Sequence, residues 1–298
     1  MAEILHDPSN TSARWITAAQ KLRPKSFNMT VIYSVLVAGC LLTLVPFVWT
    51  ILASFKTHEE IIDPTSQSLL PREFTTENYE TILKDEDLPL ERFYFNSAFI
   101  AVSNVILLTF TSSLWGFVFA KYNFRYKRLL FGYIMATLMI PSQATLIPSY
   151  LILLKFDLTN KLLGLVALAW FDAFGIFLMR QFIRSIPDEL MDAARIDGAS
   201  EWGIYRRVIL PQLGPIMATY ALLVFMSNWN AYLYPLIILR DVNVRTLPVI
   251  LTWYNDRHTS NLGLQMAASV LIVMPILLVY IGLQKWVVRG FTLSGVKG

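Results

Sequence analysis

The chain has 298 residues, 55% hydrophobic and only 15% charged, with a formal net charge of +4, and its mean hydropathy is +0.50. Soluble domains carry about 25% charged residues, so this composition excludes an ordinary soluble fold, and the apolar content excludes intrinsic disorder. A single cysteine, Cys40, excludes a disulfide framework, and the basic residues form no tract or face suited to nucleic acid.

The apolar residues fall in six long runs, near 29–53, 97–120, 129–154, 162–183, 213–239 and 267–288. Each is long enough to cross about 30 Å of hydrocarbon, which takes roughly 20 helical residues. Helices are expected because backbone polar groups in lipid must be satisfied within the segment, and the runs do not alternate as barrel strands do. The first run is longer than a signal-peptide core, and no small-residue cleavage site follows it. The expected fold class is therefore an all-α integral membrane protein with six transmembrane helices.

Lysine and arginine set the orientation. With the N-terminus inside, the inner segments hold sixteen of the 25 basic residues. The short stretch Lys121–Arg128 has four basic residues and no acidic one, the kind of loop in which the positive-inside bias is most dependable. Both termini are expected in the cytoplasm of a multi-pass protein of the cytoplasmic membrane. The chain divides into an inner tail, 1–28, a first span, 29–53, an outer loop, 54–96, a core, 97–288, and an inner tail, 289–298.

The 54–96 loop contains ten acidic residues, among them Glu59, Glu60, Asp63 and the cluster Asp85, Glu86, Asp87. It reads as an acidic, solvated spacer or as a docking surface. The inner loop, 184–211, is richer in signals. Ser185 and Asp188 have the spacing of a capping pair, Pro187 suits a first helical turn, and Glu189 suits the positive end of the helix dipole. A short helix through Ile196 should stop at Asp197-Gly198, where glycine takes a left-handed turn. Ser200 can cap a second helix ending before Pro211. Ala193, Ala194, Gly198 and Ala199 would let another backbone approach closely. The loop is either a docking knob or a segment folded onto its own bundle.

This stretch, Ile186 to Ser200 followed by Tyr205, Val208, Leu210 and Pro211, closely resembles the "EAA" motif, E-A-A-x-x-D-G-A-x₈-I-x-L-P, of the membrane permeases of binding-protein-dependent ABC importers. Asp192 replaces the usual glutamate and Val208 the isoleucine. Ser54-Phe55-Lys56-Thr57, Phe74 to Tyr79, Asn228 to Leu236 and the tail Arg289 to Gly298 look like carbohydrate-uptake permeases, with the maltose-type second permease the best fit. The resemblance covers about 29–298 and implies the six-span type I ABC importer permease fold. It also implies a second homologous permease, two cytoplasmic ATPase subunits carrying ATP-Mg, an extracytoplasmic solute-binding protein, and a sugar or related polyol as solute. By the matched positions Asp192, Ala193, Ala194, Asp197, Gly198 and Ala199 would seat in a groove of the ATPase, with Glu189, Ser200, Leu210 and Pro211 completing the motif.

No catalytic chemistry is legible in the chain itself. The nearest approach to a phosphate-binding loop, Gly290 to Lys297, has Val296 before the lysine and no Ser/Thr after it. His6, His58 and His258 lie in three separate loops and cannot build a metal centre with one cysteine, and no G-x-S-x-G elbow is present. ATP hydrolysis is expected on a partner subunit.

Polar groups inside apolar runs are functional candidates because burying them costs several kcal/mol unless they are paired or wetted. Asn104, Gln143, Asp172, Asn228 and Asn230 qualify, and Asn228-Trp229-Asn230-Ala231-Tyr232 mixes amides with rings. Gln143, Asn228, Trp229, Asn230 and Tyr232 are the expected substrate path, with helix–helix hydrogen bonding as the competing reading. Asp172 could serve a proton relay, which would make the protein an ion-coupled secondary transporter, although no internal repeat accompanies it. A glycerol phosphoester as the solute, or a non-transporting membrane receptor, also fits the sequence.

Overall fold

The computed structural model describes residues 29–65, 68–85, 89–250 and 261–295, with side chains described as far as Lys285. The tail 1–28, Glu86, Asp87, Arg257, His6, His258 and the side chains of the 289–298 tail lie outside the described residues. All regular structure among the described residues is helical. The chain falls into two compact units, Met1–Leu52 and Ala53–Gly298.

The first unit carries most of helix α1, Met29–Ala53. Its apolar side chains are exposed, as a lipid-covered helix requires. Pro46 removes one backbone donor inside the helix, and Thr50 Oγ1 donates to the Pro46 carbonyl at 2.8 Å.

In the second unit, α2 (His58–Ile62) and α3 (Glu77–Leu83) lead into α4 (Leu90–Lys121). The reading of 54–96 as a solvated spacer does not hold for its first part. Ser54 and Lys56 are buried, the Lys56 ammonium donates to the Ser68 carbonyl at 2.6 Å and pairs with Glu60 at 3.3 Å, and Asn78 Nδ2 donates to the carbonyls of Ser54 and Lys56. Buried polar groups need such partners, and here the partners come from within the loop.

α4 is a continuous helix of 32 residues, beginning seven residues earlier than its apolar run. It packs along α8 (Ala173–Ile183) and α11 (Gly214–Trp229), and α11 packs in turn on α13 (Leu262–Gly295). Gly116 brings α4 against α8: a Cβ there would lie 2.6 Å from Met179 Cβ and 2.9 Å from the Arg180 nitrogen. One apolar core lies around Phe117, Met179, Ile183, Tyr205, Ile209 and Tyr220, and a second gathers Phe93, Ala101, Phe225, Trp229, Leu264 and Ala267.

Three of the runs expected as spans are broken. The 129–154 run becomes α5 (Lys127–Thr137), a 3₁₀ turn Ser142–Thr145 and α6 (Leu146–Lys155), and the two halves meet at 95°. The break falls at Ile140-Pro141, where the missing N–H and the steric demand on the preceding residue end a helix. The 162–183 run becomes α7 (Leu162–Ala167) and α8. Asp172 separates them and caps α8, its carboxylate accepting from the Phe174 and Gly175 amides. The 213–239 run becomes α11 and α12 (Leu233–Ile238), with Asn230 to Tyr232 in the gap. Among the described residues three helices are long and apolar enough to cross a membrane, or five if the bent pairs within 127–155 and 201–229 each count as one span.

Candidate functional site

The 184–211 loop folds as a helix, a glycine corner and a second helix. α8 closes first: Ser185 Oγ donates to the Phe182 carbonyl at 2.7 Å. Ser185 is thus spent on the preceding helix, and the capping pair expected with Asp188 does not form. Asp188 instead precedes α9 (Glu189–Ile196), and its carboxylate accepts from Lys121 Nζ at 2.5 Å. Glu189 and Asp192 occupy the first turn of α9, where negative charge suits the helix dipole.

α9 has two faces. Met191 is buried and Ala194 packs against the core, whereas Glu189, Leu190, Ala193 and Asp197 are exposed and Ile196 is 86% exposed. The helix ends as the sequence predicts. Gly198 takes φ +79°, its N–H donates to the Arg195 carbonyl at 3.0 Å, and the Ala199 N–H donates to the Ala194 carbonyl at 2.9 Å. That pair of bonds is a Schellman motif, which satisfies carbonyls a helix end would leave open. Ser200 then caps α10 (Glu201–Ile204), accepting from the Gly203 amide at 3.2 Å.

The second helix does not end before Pro211. It widens into a π turn, Tyr205–Ile209, and continues through Leu210–Gln212. Proline removes one intrahelical donor, and the Gln212 side-chain amide adds a bond to the Val208 carbonyl at 2.8 Å in the same turn. Leu210 packs against the core, while Pro211 is exposed.

Charge ties the knob together and to the end of α4. Arg195 pairs with Asp192 at 2.8 Å across one turn and with Glu201 at 2.9 Å across the corner. Glu201 also accepts from the Tyr122 hydroxyl, one residue past α4. Lys121, 5% exposed in its side chain, donates to the Ile186 carbonyl as well as to Asp188. The Lys121 hydrogen bond holds the Asp188 carboxyl below its usual range, and hydrogen bonds from Arg195 and Tyr122 do the same for Glu201. Burial, then the bond to Glu201, pushes the Tyr122 hydroxyl up to about 12. Lys121, Tyr122 and Glu201 were absent from the sequence-based site. Lys121 read only as an orientation marker, and nothing in linear spacing connects 121–122 to 186–201.

The unit thus combines paired charges, a fixed corner and one exposed face that carries Leu190, Ala193, Ile196 and Asp197. Residues 112–293 match the family model for the binding-protein-dependent transport system inner membrane component. The chain belongs to that family.

The arabinooligosaccharides transport system permease protein AraQ of Halalkalibacterium halodurans is 32% identical over 254 residues, covering 85% of this chain and 91% of AraQ. The lactose transport system permease protein LacG of Rhizobium radiobacter is 31% identical, covering 89% of this chain and 95% of LacG. In fold, the chain is similar to a chain of a bacterial ABC transporter involved in the import of the acidic polysaccharide alginate, with TM-score 0.76, 24% identity and coverage of 89% and 99% of the two chains. The fold is that of a type I ABC importer permease, a class that performs no hydrolysis of its own.

In this permease the five residues expected to form a substrate path do not come together. Asn228 faces a cavity with Asn104, and Asn104 Nδ2 donates to Asn228 Oδ1 at 2.5 Å. Trp229 is buried instead, stacked on Phe225 and donating from its ring nitrogen to the Ile272 carbonyl at 3.1 Å. Asn230 turns its amide back to the Met226 carbonyl, and Gln143 and Tyr232 are exposed away from the cavity lining. Adjacent positions on a helix point about 100° apart, so a contiguous polar-aromatic string cannot line one wall. Asp172 accepts from two backbone amides and from Tyr220 OH at 2.5 Å, a structural cap joining α8 to α11. His58 Nδ1 accepts from the Leu262 amide, away from any acidic or cysteine partner set among the described residues.

Proposed function

We propose that this permease moves a saccharide, from a monosaccharide to an oligosaccharide or related polyol, inward across the cytoplasmic membrane with both termini in the cytoplasm. It pairs with a second homologous permease and receives solute from an extracytoplasmic binding protein. Its 184–211 loop seats in one of two ATPase subunits that hold ATP-Mg. The observation that carries this reading is the knob: a Schellman-cornered helix pair whose exposed face presents Ala193, Asp197 and Gly198 while its other face is locked to α4. A displacement imposed on such a unit passes to the spans as a rigid-body shift. The saccharide assignment is supported by relatives named for arabinooligosaccharide and lactose transport. The ion-coupled alternative loses its main support, because Asp172 is engaged as a helix cap.

The test is a cysteine at Ala193 in a Cys40→Ala background, in membrane vesicles carrying the assembled transporter. A bifunctional thiol reagent should capture the ATPase, and the same vesicles should accumulate lactose or arabinotriose only with ATP. Labelling of Ala193→Cys from the extracytoplasmic side, or uptake driven by an ion gradient without ATP, would overturn the reading.

A further inference from the structure

A cavity of about 340 Å³ opens where α4, the α5–α6 junction, α7, α11 and α12 meet. Its polar wall is Asn104, Ser142, Thr145, Ser149, Ser227 and Asn228, and its apolar wall includes Ile100, Leu165 and Leu168. Tyr234 closes one side, with its hydroxyl donating to the Ser142 carbonyl at 2.8 Å and lying 2.9 Å from Thr145 Oγ1. The volume sits at the lower end of the range for small-molecule sites, roughly 300–1,000 Å³.

One atom in this wall is unsatisfied. Asn104 is 3% exposed, its amide nitrogen is engaged by Asn228, and its Oδ1 is buried with no hydrogen-bond partner. Asn228 does not serve it: its Nδ2 donates to the Val224 carbonyl at 2.8 Å and makes no bond to Asn104 Oδ1. A buried acceptor left open costs about 1–3 kcal/mol, and a donor in the cavity, whether water or a solute that displaces it, removes that cost. Among the described residues no charged side chain lines it. A phosphate or carboxylate would therefore be desolvated without a cation, and an ammonium without an anion. A neutral hydroxyl is the donor that fits. It donates to Asn104 Oδ1 and accepts from the serine and threonine hydroxyls, which can take either role. The aliphatic wall and the Tyr234 ring suit the C–H faces of a sugar.

We propose that this cavity is a subsite for a neutral, polyhydroxylated solute, with Asn104 as the residue that reads a solute hydroxyl. The subsite rests on the saccharide-importer reading above and narrows it, since a glycerol phosphoester finds no partner here.

The test uses the assembled transporter in lipid vesicles, in a Cys40→Ala background, with Ser149→Cys or Ser227→Cys as reporters and a small neutral thiol reagent. Lactose, arabinotriose and sn-glycerol 3-phosphate are the probes. A neutral probe that the transporter accumulates should slow labelling of both cysteines about ten-fold at saturation, and sn-glycerol 3-phosphate should leave it unchanged. In parallel, Asn104→Leu should raise the half-saturating concentration for the same neutral probe about ten-fold. Accumulation of a neutral probe with unprotected cysteines and an unshifted Asn104→Leu overturns the subsite and leaves the saccharide reading standing. Accumulation of sn-glycerol 3-phosphate alone overturns both.

Discussion

The knob and the cavity are built on opposite economies of polar groups. In the knob the charges turned towards α4 and across the corner are paired: Lys121 with Asp188 and the Ile186 carbonyl, Arg195 with Asp192 and Glu201, and Glu201 with Tyr122. In the cavity a buried amide oxygen, Asn104 Oδ1, has none. A part that transmits displacement gains from being fully satisfied, because each paired group removes a way to deform. A part that binds and releases a neutral solute needs bonding capacity left open, because satisfied walls offer an arriving ligand nothing.

The largest expected effect lies at the corner. Gly198→Val places a β-branched residue at φ +79°, a strain of about 1–3 kcal/mol. A Cβ there meets nothing within 4 Å, so the effect is one of backbone conformation rather than collision. ATP hydrolysed per solute moved should rise at least several-fold, and Gly198→Asn, which tolerates the left-handed region, should recover much of the coupling. Equal stoichiometry in both variants would show that corner geometry is irrelevant.

Next in size is the tie to α4. Lys121→Met leaves the Ile186 carbonyl and Asp188 without their shared donor, a loss of about 1–3 kcal/mol. Uptake should fall about three-fold while the ATPase stays bound, measured by co-purification alongside solute flux. A smaller effect is expected at Trp229→Phe, which gives up only the bond to the Ile272 carbonyl, about 1 kcal/mol. Thermal stability should drop by a few degrees with the ranking of solutes unchanged; a changed ranking would restore Trp229 to the substrate path.

The smallest effect is expected from pH. Asp188 and Glu201 are held below their ordinary values of 3.8 and 4.5, so what they contribute is present above those values and is lost as pH falls through the lowered ones. Tyr122 is raised from 10.0 to about 12, so its contribution is present below 10.0 and fades as pH rises towards 12. A spin label on Ala193→Cys in the Cys40→Ala background should therefore show constant mobility between about pH 5 and 9, with loosening only outside that window.

What the sequence revealed follows the same division. The knob is contiguous, and its signals are short-range: Gly198 for a left-handed corner, Ser200 for a cap and acids for a first helical turn, each a property of a few neighbours. Its fastening to Lys121 and Tyr122 spans more than sixty positions, and no local pattern encodes it. The cavity draws on five elements, so only Asn228 of the expected path lines it, while Trp229 and Asn230, one and two positions on, point elsewhere. The breaks at Pro141 and Asp172 were written in the sequence as a proline and an acid. An apolar run long enough to span hid them, because hydropathy averages over the residue that interrupts it.

α4 joins the two regions without a proline or an interruption along its 32 residues. Asn104 stands seventeen residues from Lys121, about 26 Å along the axis. A continuous helix of that length is a lever: tilting it about 10° around its fastened end sweeps Asn104 through roughly 4 Å. That is more than the reach of a hydrogen bond. Under the proposed coupling and subsite, a stroke that rocks the knob would pull the amide away from its solute, and grip and release would need no messenger other than the helix itself.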